Sequence, residues 1–262
     1  MVDARRHVDE DILAKGEKRQ FTVPIAPVLK RPEADSRQET QALMGELCTL
    51  LDIRGAYSWI QLSRDGYVGF VETAALTADI VETTHRVTVP STLLYPWPDL
   101  KSHPVRFLPM NAEFKVIGAE GDFVGLATGG FVFAGHLAAK SVKEKDFVAV
   151  AQQMLHTPYY WGGKSVHGLD CSGLVQVSLQ ATGVVAPRDA DMQEHELGVL
   201  VNDHRNLQRG DLVFWKGHVG IMQDAKTLLH ANGHWMKTVS EPLADAIART
   251  PTPVTAIKRL SL

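Results

Sequence analysis

Hydrophobic and polar positions follow two different periods along this chain, and the change falls near residue 140. Before it, the period is two. Tyr57-Ser58-Trp59-Ile60-Gln61-Leu62 alternates, Arg64-Asp65-Gly66 is a turn signal, and Tyr67-Val68-Gly69-Phe70-Val71 reads as the next strand. Residues 21–29 form a strand pattern interrupted by Pro24 and Pro27, which suits an edge, and residues 47–51 are a short apolar run. A similar unit follows. Thr92-Leu93-Leu94-Tyr95, residues 114–118 and residues 123–127 are strand-like, and Gly129-Gly130 turns into Phe131-Val132-Phe133. Short strands with polar turns over about fifty residues predict a small barrel, and the paired endings at 66–71 and 129–133 predict that it is repeated. The alternative is one irregular β-domain. Residues 1–20 are polar and charged and are expected to form an irregular arm.

From Lys143 the period is helical. Phe147, Val150, Ala151, Met154 and Leu155 share one helix face, and Pro158 ends it. A second helix is expected over residues 171–182. Leu174, Val175, Val177 and Ser178 would form its buried side, with Gly183 just past its end. A turn at Gln208-Arg209-Gly210-Asp211 leads into Leu212-Val213-Phe214-Trp215. Strands are then expected at 218–223, 227–232 and near 254–258. A helix layer against an antiparallel sheet is an α+β architecture.

Composition narrows the classes. The 262 residues are 45% hydrophobic and 22% charged, with a net charge of −3, which fits a globular chain and gives no general reason to expect nucleic acid or a membrane surface as partner. The two cysteines do not make a disulfide framework, and Cys48, within an apolar run, is expected in the core. The eleven histidines show no metal-ligand spacing and no phosphate loop is present, so no cofactor and no metal is expected. No apolar run approaches the ~18–20 residues of a membrane span, and the first residues carry no signal-peptide pattern, so a cytoplasmic location is expected.

The chemistry concentrates on Cys171. It opens a helix-like run, where unpaired backbone N–H groups and the helix dipole favour a thiolate and can steady an oxyanion. Asp170 can cap that helix, and Ser172-Gly173 leaves room beside the sulphur. His218, in Gly217-His218-Val219-Gly220, and His230, in Leu229-His230-Ala231-Asn232, are candidate bases or orienters. His230 follows His218 by twelve residues, a spacing for adjacent strands, and Asn232 and His234 compete with it as orienter.

The order Asp-Cys-Ser-Gly-Leu-Val, His-Val-Gly-Ile, Leu-His-Ala resembles the NlpC/P60 family of papain-like cysteine peptidases, over residues 145–260. The half before it resembles the SH3-like modules of γ-D-glutamyl-L-diamino acid endopeptidases. The resemblance implies that Cys171 is the nucleophile, His218 the base and His230 the third catalytic residue. It implies that Tyr159, twelve residues before Cys171, assists the oxyanion hole, with Tyr160 as its rival. Asp170 and Ser172 would hold the free amino end of the substrate. Arg188 and Asp189 would border the γ-D-glutamyl pocket, or Arg188 would pair with a carboxylate, of the protein or of the substrate. The family often has serine where this chain has Ala190, which removes one hydroxyl donor there. Glu46 and Tyr67 fall where the first SH3-like module of such enzymes reaches the cleft. Trp161 is expected to pack beneath the cysteine helix.

The expected fold is therefore an α+β papain-like catalytic domain over residues 141–262. Two small all-β SH3-like barrels precede it, over 21–80 and 81–140, after an arm over 1–20. The expected activity is cleavage of the γ-D-glutamyl–diamino acid amide (diaminopimelate or lysine) in murein peptides with a free L-alanine end, during cell-wall peptide recycling. Two readings compete with it: an amidase or acyltransferase on another substrate, since one fold hosts several chemistries, and a non-catalytic protein that binds wall fragments.

Overall fold

The computed structural model describes residues 3–203 and 205–261. The chain forms two compact units, one ending at Val142 and the other beginning at Lys143.

The first unit is built on a seven-stranded antiparallel sheet. Its spatial order is Gln38–Leu43, Ile25–Leu29, Val68–Glu72, Tyr57–Leu62, Leu47–Arg54, Glu17–Phe21 and Leu76–Thr77. The alternation at Tyr57–Leu62 becomes strict alternation of half-buried and buried residues. Pro27 is tolerated because its strand meets Val68–Glu72 only through Leu29 and Phe70. Cys48 is fully buried in this unit, as its apolar surroundings predict.

Two expectations are corrected here. Residues 17–20 are not part of an arm: Glu17–Phe21 is a strand that pairs with Leu47–Arg54. Nor does the region hold two separate barrels. Among the described residues no sheet closes, and residues beyond 84 form three small sheets of two or three strands. Their core of Val87, Leu108, Phe114 and Val132 takes in Met44 from the preceding region. Glu113 N–H donates to Met44 carbonyl at 2.8 Å, and Arg64 bridges Glu46 and Glu113 at 3.1 Å each.

The second unit lays helices on a six-stranded antiparallel sheet, ordered Val199–Leu200, Val254–Arg259, Leu212–Trp215, His218–Met222, Thr227–Asn232 and Lys237–Pro242. The helix Cys171–Ala181 packs on the two neighbouring strands that carry His218 and His230. All eleven of its residues are buried, not one face only. It begins where the Asp170 carboxylate accepts from Gly173 N–H, and ends before Gly183 at φ +87°. The helix Phe147–Gln152 is shorter than its apolar periodicity predicts. The chain leaves it to pair with the sheet edge: His156 N–H donates to Thr238 carbonyl at 2.9 Å and Thr238 N–H to Thr157 carbonyl at 2.8 Å. Among the elements outside the expected pattern are the edge strand Lys237–Pro242 and the helix Leu243–Arg249. On that strand only Thr238 is buried, so it carries almost no apolar alternation.

Candidate active site

Asp170 organises the start of the cysteine helix. Its Oδ1 accepts from Gly173 N–H at 2.7 Å and from Arg188 Nη1 at 3.0 Å. Its Oδ2 accepts from Gly162 N–H at 2.8 Å and from Arg188 Nη2 at 2.7 Å. Arg188 Nη1 also donates to the Ser172 hydroxyl at 2.9 Å, and the Arg188 side chain is fully buried. Of the two roles open to Arg188, the structure realises the pairing with a carboxylate of the protein. Asp170 and Ser172 are thereby tied into the scaffold, and a substrate ammonium would have to compete with a guanidinium for them. Asp189 stands half-buried at the start of the helix Ala190–Glu196. Gly173 has to be glycine here: a Cβ would lie 2.2 Å from Gly163 carbonyl oxygen.

Cys171 is buried at the first turn of its helix, and the backbone N–H groups of Val219 and Ser172 point to its sulphur. The sulphur thus lies against the strand that carries His218. Burial pushes the thiol up to about 12, Asp170 adds to this, and the two N–H groups and Arg188 oppose it without prevailing. His218 moves the other way. Burial, then His230 and Arg249, hold it down at about 3, against the pull of Asp170. Burial thus works against the thiolate that the helix end favours.

His218 Nε2 lies 2.9 Å from His230 Nδ1, which leaves His218 Nδ1 outside that contact. Trp215, paired with His218 across the hairpin, lies over its ring at 5.7 Å between centroids. A glycine at 220 makes the contact possible, since a Cβ there would meet Leu228 Cδ1 at 2.7 Å and His230 Cβ at 3.2 Å. His230 Nε2 in turn lies 2.7 Å from Glu241 Oε1 and 2.9 Å from Asn232 Nδ2. Glu241 is held by Arg249 through both oxygens, at 2.9 and 2.5 Å. Asn232 is thus a neighbour of His230 and not its replacement beside His218. His234 packs on Trp235.

Tyr159 is fixed by its backbone, with N–H donating to Met236 carbonyl at 2.9 Å and a bridge to Leu169. Burial and the nearby Cys171 and Asp170 raise its hydroxyl above the ordinary value, so it stays a proton donor. Tyr160 and Trp161 are about half exposed, which corrects the expectation that Trp161 packs under the cysteine helix. Glu46 and Tyr67 belong to the first unit. Glu46 is buried, accepting from Leu43 N–H at 3.0 Å and from Arg64 Nε at 3.1 Å. Tyr67 is buried too, with its N–H on Asp65 at 3.0 Å. The second unit thus gathers Cys171, Asp170, Ser172, Arg188, Tyr159, His218 and His230. The residues missed by sequence reasoning are Glu241 and Arg249. The one signal for Glu241 is its period-two spacing from Val239, the residue opposite His230.

A buried cysteine at a helix start, packed against a strand whose histidine contacts a second histidine, is compatible with the constellation of a papain-like cysteine peptidase. Comparison with known proteins agrees. Residues 156–249 match the model of the NlpC/P60 family, and residues 28–76 match that of the bacterial dipeptidyl-peptidase Sh3 domain. Residues 156–249 are thus an NlpC/P60 domain, from a family of cysteine peptidases, and residues 28–76 a bacterial SH3 domain.

Among curated relatives, a gamma-D-glutamyl-L-lysine dipeptidyl-peptidase of Bacillus cereus is 29% identical over 205 residues, covering 69% of this chain and 60% of that protein. Its namesake from Bacillus subtilis is 29% identical over 252 residues, covering 81% of each. Dipeptidyl-peptidase 6 of Lysinibacillus sphaericus is 35% identical over 100 residues, 36% of its length. The chain thus spans less than two thirds of the Bacillus cereus and Lysinibacillus relatives. The crystal structure of an NlpC/P60 family protein from Bacillus cereus shares the fold, with a TM-score of 0.79 at 22% identity over 93% of this chain and 99% of that one.

Proposed function

We propose that the protein hydrolyses the amide between γ-D-glutamate and the diamino acid, diaminopimelate or lysine, in peptidoglycan-derived peptides with a free N-terminal L-alanine. The observation that carries this reading is Cys171 at the helix start beside His218, with His218 Nε2 held 2.9 Å from His230 Nδ1. That His218 Nδ1 remains for the thiol makes a proton-transfer path of the right polarity. The names of the Bacillus relatives supply the substrate class.

In this reading the resting pair is neutral, as burial of both groups favours. The substrate carbonyl reaches Cys171 Sγ, and the S–H proton passes to His218 Nδ1 as the S–C bond forms. The oxyanion takes hydrogen bonds from the Cys171 N–H and the Tyr159 hydroxyl. Collapse breaks the C–N bond, and His218 returns the proton to the leaving amine. Water, activated by the now neutral His218, then cleaves the thioester and restores the thiol. Selectivity for a free L-alanine end would suit peptides already trimmed by other enzymes, and so a recycling step in the cytoplasm.

The test is mass spectrometry of L-Ala-γ-D-Glu-meso-diaminopimelate incubated with the protein, beside the same peptide acetylated at its amino end. Release of L-Ala-γ-D-Glu from the free peptide alone supports the whole reading. Cleavage of both removes the amino-end selectivity. Cleavage of neither overturns the substrate assignment.

A further inference from the structure

We propose that Glu241, clamped by Arg249, is a positioning residue of the catalytic machinery: it sets the tautomer of His230, and through it that of His218. The inference rests on the assignment of Cys171 and His218 as the reacting pair.

The ring nitrogens carry the argument. To take the thiol proton, His218 must keep Nδ1 bare, so its own proton sits on Nε2 and is donated to His230 Nδ1 at 2.9 Å. His230 must then accept at Nδ1 and carry its proton on Nε2. At that nitrogen two neighbours make opposite demands. Glu241 Oε1, at 2.7 Å, can only accept, and so requires Nε2–H. Asn232 turns its amide nitrogen to the same atom at 2.9 Å, because its Oδ1 accepts from Trp235 N–H at 2.8 Å. A donor there requires a bare Nε2, which would put the proton on His230 Nδ1. His218 Nε2 would then have to accept, its proton would move to Nδ1, and the nitrogen facing Cys171 would be blocked. Asn232 alone therefore selects the idle arrangement, and Glu241 selects the working one.

Magnitudes favour Glu241. A hydrogen bond to an ionised acceptor is roughly twice as strong as one between neutral groups. Although burial works against its charge, bonds from Arg249 and His230 hold the Glu241 carboxyl at about 2, so it remains ionised. Arg249, the last residue of the helix Leu243–Arg249, engages both carboxylate oxygens, and its guanidinium lies 5.7 Å from the Trp235 ring. The clamp also fixes the role. Arg249 balances the charge of Glu241, so the pair contributes direction and tautomer in place of a net negative field on His218.

The experiment compares Glu241→Leu, which keeps bulk and removes the acceptor, with Glu241→Gln, which restores an acceptor oxygen. Three readouts are kcat and KM on L-Ala-γ-D-Glu-meso-diaminopimelate, the rate of Cys171 alkylation by iodoacetamide, and 15N spectra of labelled histidine, the last recorded in a Cys171→Ala background. The Leu variant should lose about 10- to 100-fold in kcat, the range for residues that orient a functional histidine. KM should stay put, alkylation should slow, and His230 should move its proton to Nδ1. The Gln variant should recover part of the rate. A folded Leu variant with kcat and alkylation unchanged overturns the proposal. So does a His230 that carries its proton on Nδ1 with Glu241 in place, whatever the variants do and whichever peptide is cleaved.

Discussion

Asp170 and Arg188 form a fully engaged ion pair beneath the nucleophile, with Nη1 to Oδ1 at 3.0 Å and Nη2 to Oδ2 at 2.7 Å. The pair ties the cap of the cysteine helix to the segment before Ala190, and Ser172 hydroxyl shares the same guanidinium at 2.9 Å. Removing one partner leaves the other charge buried and unmatched. Arg188→Met should therefore lower the stability of the second unit by about 3–5 kcal/mol. Arg188→Lys should recover little, because one ammonium cannot reproduce a two-pronged contact. Denaturant titration of the three proteins checks this; a Met variant as stable as the wild type would show that the pair is not structural.

A neutral resting state of Cys171 and His218 carries a kinetic signature. With the thiol pushed up to about 12 by burial, the thiolate fraction grows tenfold per pH unit throughout the working range. The rate of Cys171 alkylation should therefore climb about tenfold per unit between about pH 6 and 9, without a plateau. Cys48, fully buried, should stay unlabelled in the folded protein. A plateau reached below pH 7 would instead identify a preformed thiolate–imidazolium pair.

Acid stability depends on His218. Its unfolded form takes up a proton near pH 6.5, whereas burial, His230 and Arg249 delay this in the folded form to about 3, against Asp170. Between these values the unfolded chain binds the extra proton, so stability falls as the pH is lowered through that window. His218→Asn removes this contribution. Its thermal midpoint should decline less steeply than that of the wild type between about pH 6.5 and 4. Parallel slopes would mean that His218 titrates normally in the fold.

Gly220 is a packing requirement of the histidine pair. A Cβ there meets Leu228 Cδ1 at 2.7 Å and His230 Cβ at 3.2 Å. Leu228 can swing away, but His230 has to shift with its strand. Gly220→Ala should cost about 1–3 kcal/mol of stability through overpacking, and should lower kcat with little effect on KM. A variant with wild-type kcat would show that the His218–His230 contact tolerates displacement.

What the sequence discloses about this site follows the range of the physics involved. Cys171, His218 and His230 stand in local patterns, a capped helix start and two apolar strands, and those patterns are legible residue by residue. Glu241 and Arg249 have no such context. A carboxylate on a polar edge strand and an arginine at a helix end look like solvated surface, and only the strand order brings them to His230. The thiol shows the same divide. The helix-end amides that favour thiolate are a local feature, while the burial that opposes them comes from the sheet packed against the helix. The expected pair of closed barrels is legible only in part: alternation marks the strands and an SH3 domain is matched at 28–76, but which strands share a core is a tertiary matter, and Met44 joins the core of the following region.

The most direct test of the account is to trap the covalent intermediate. The protein would be mixed with L-Ala-γ-D-Glu-meso-diaminopimelate, quenched in acid during turnover, and peptide-mapped beside Cys171→Ala. The account predicts an L-alanyl-γ-D-glutamyl thioester on the peptide that contains Cys171, and neither adduct nor hydrolysis in the variant. Hydrolysis that persists in Cys171→Ala would contradict it.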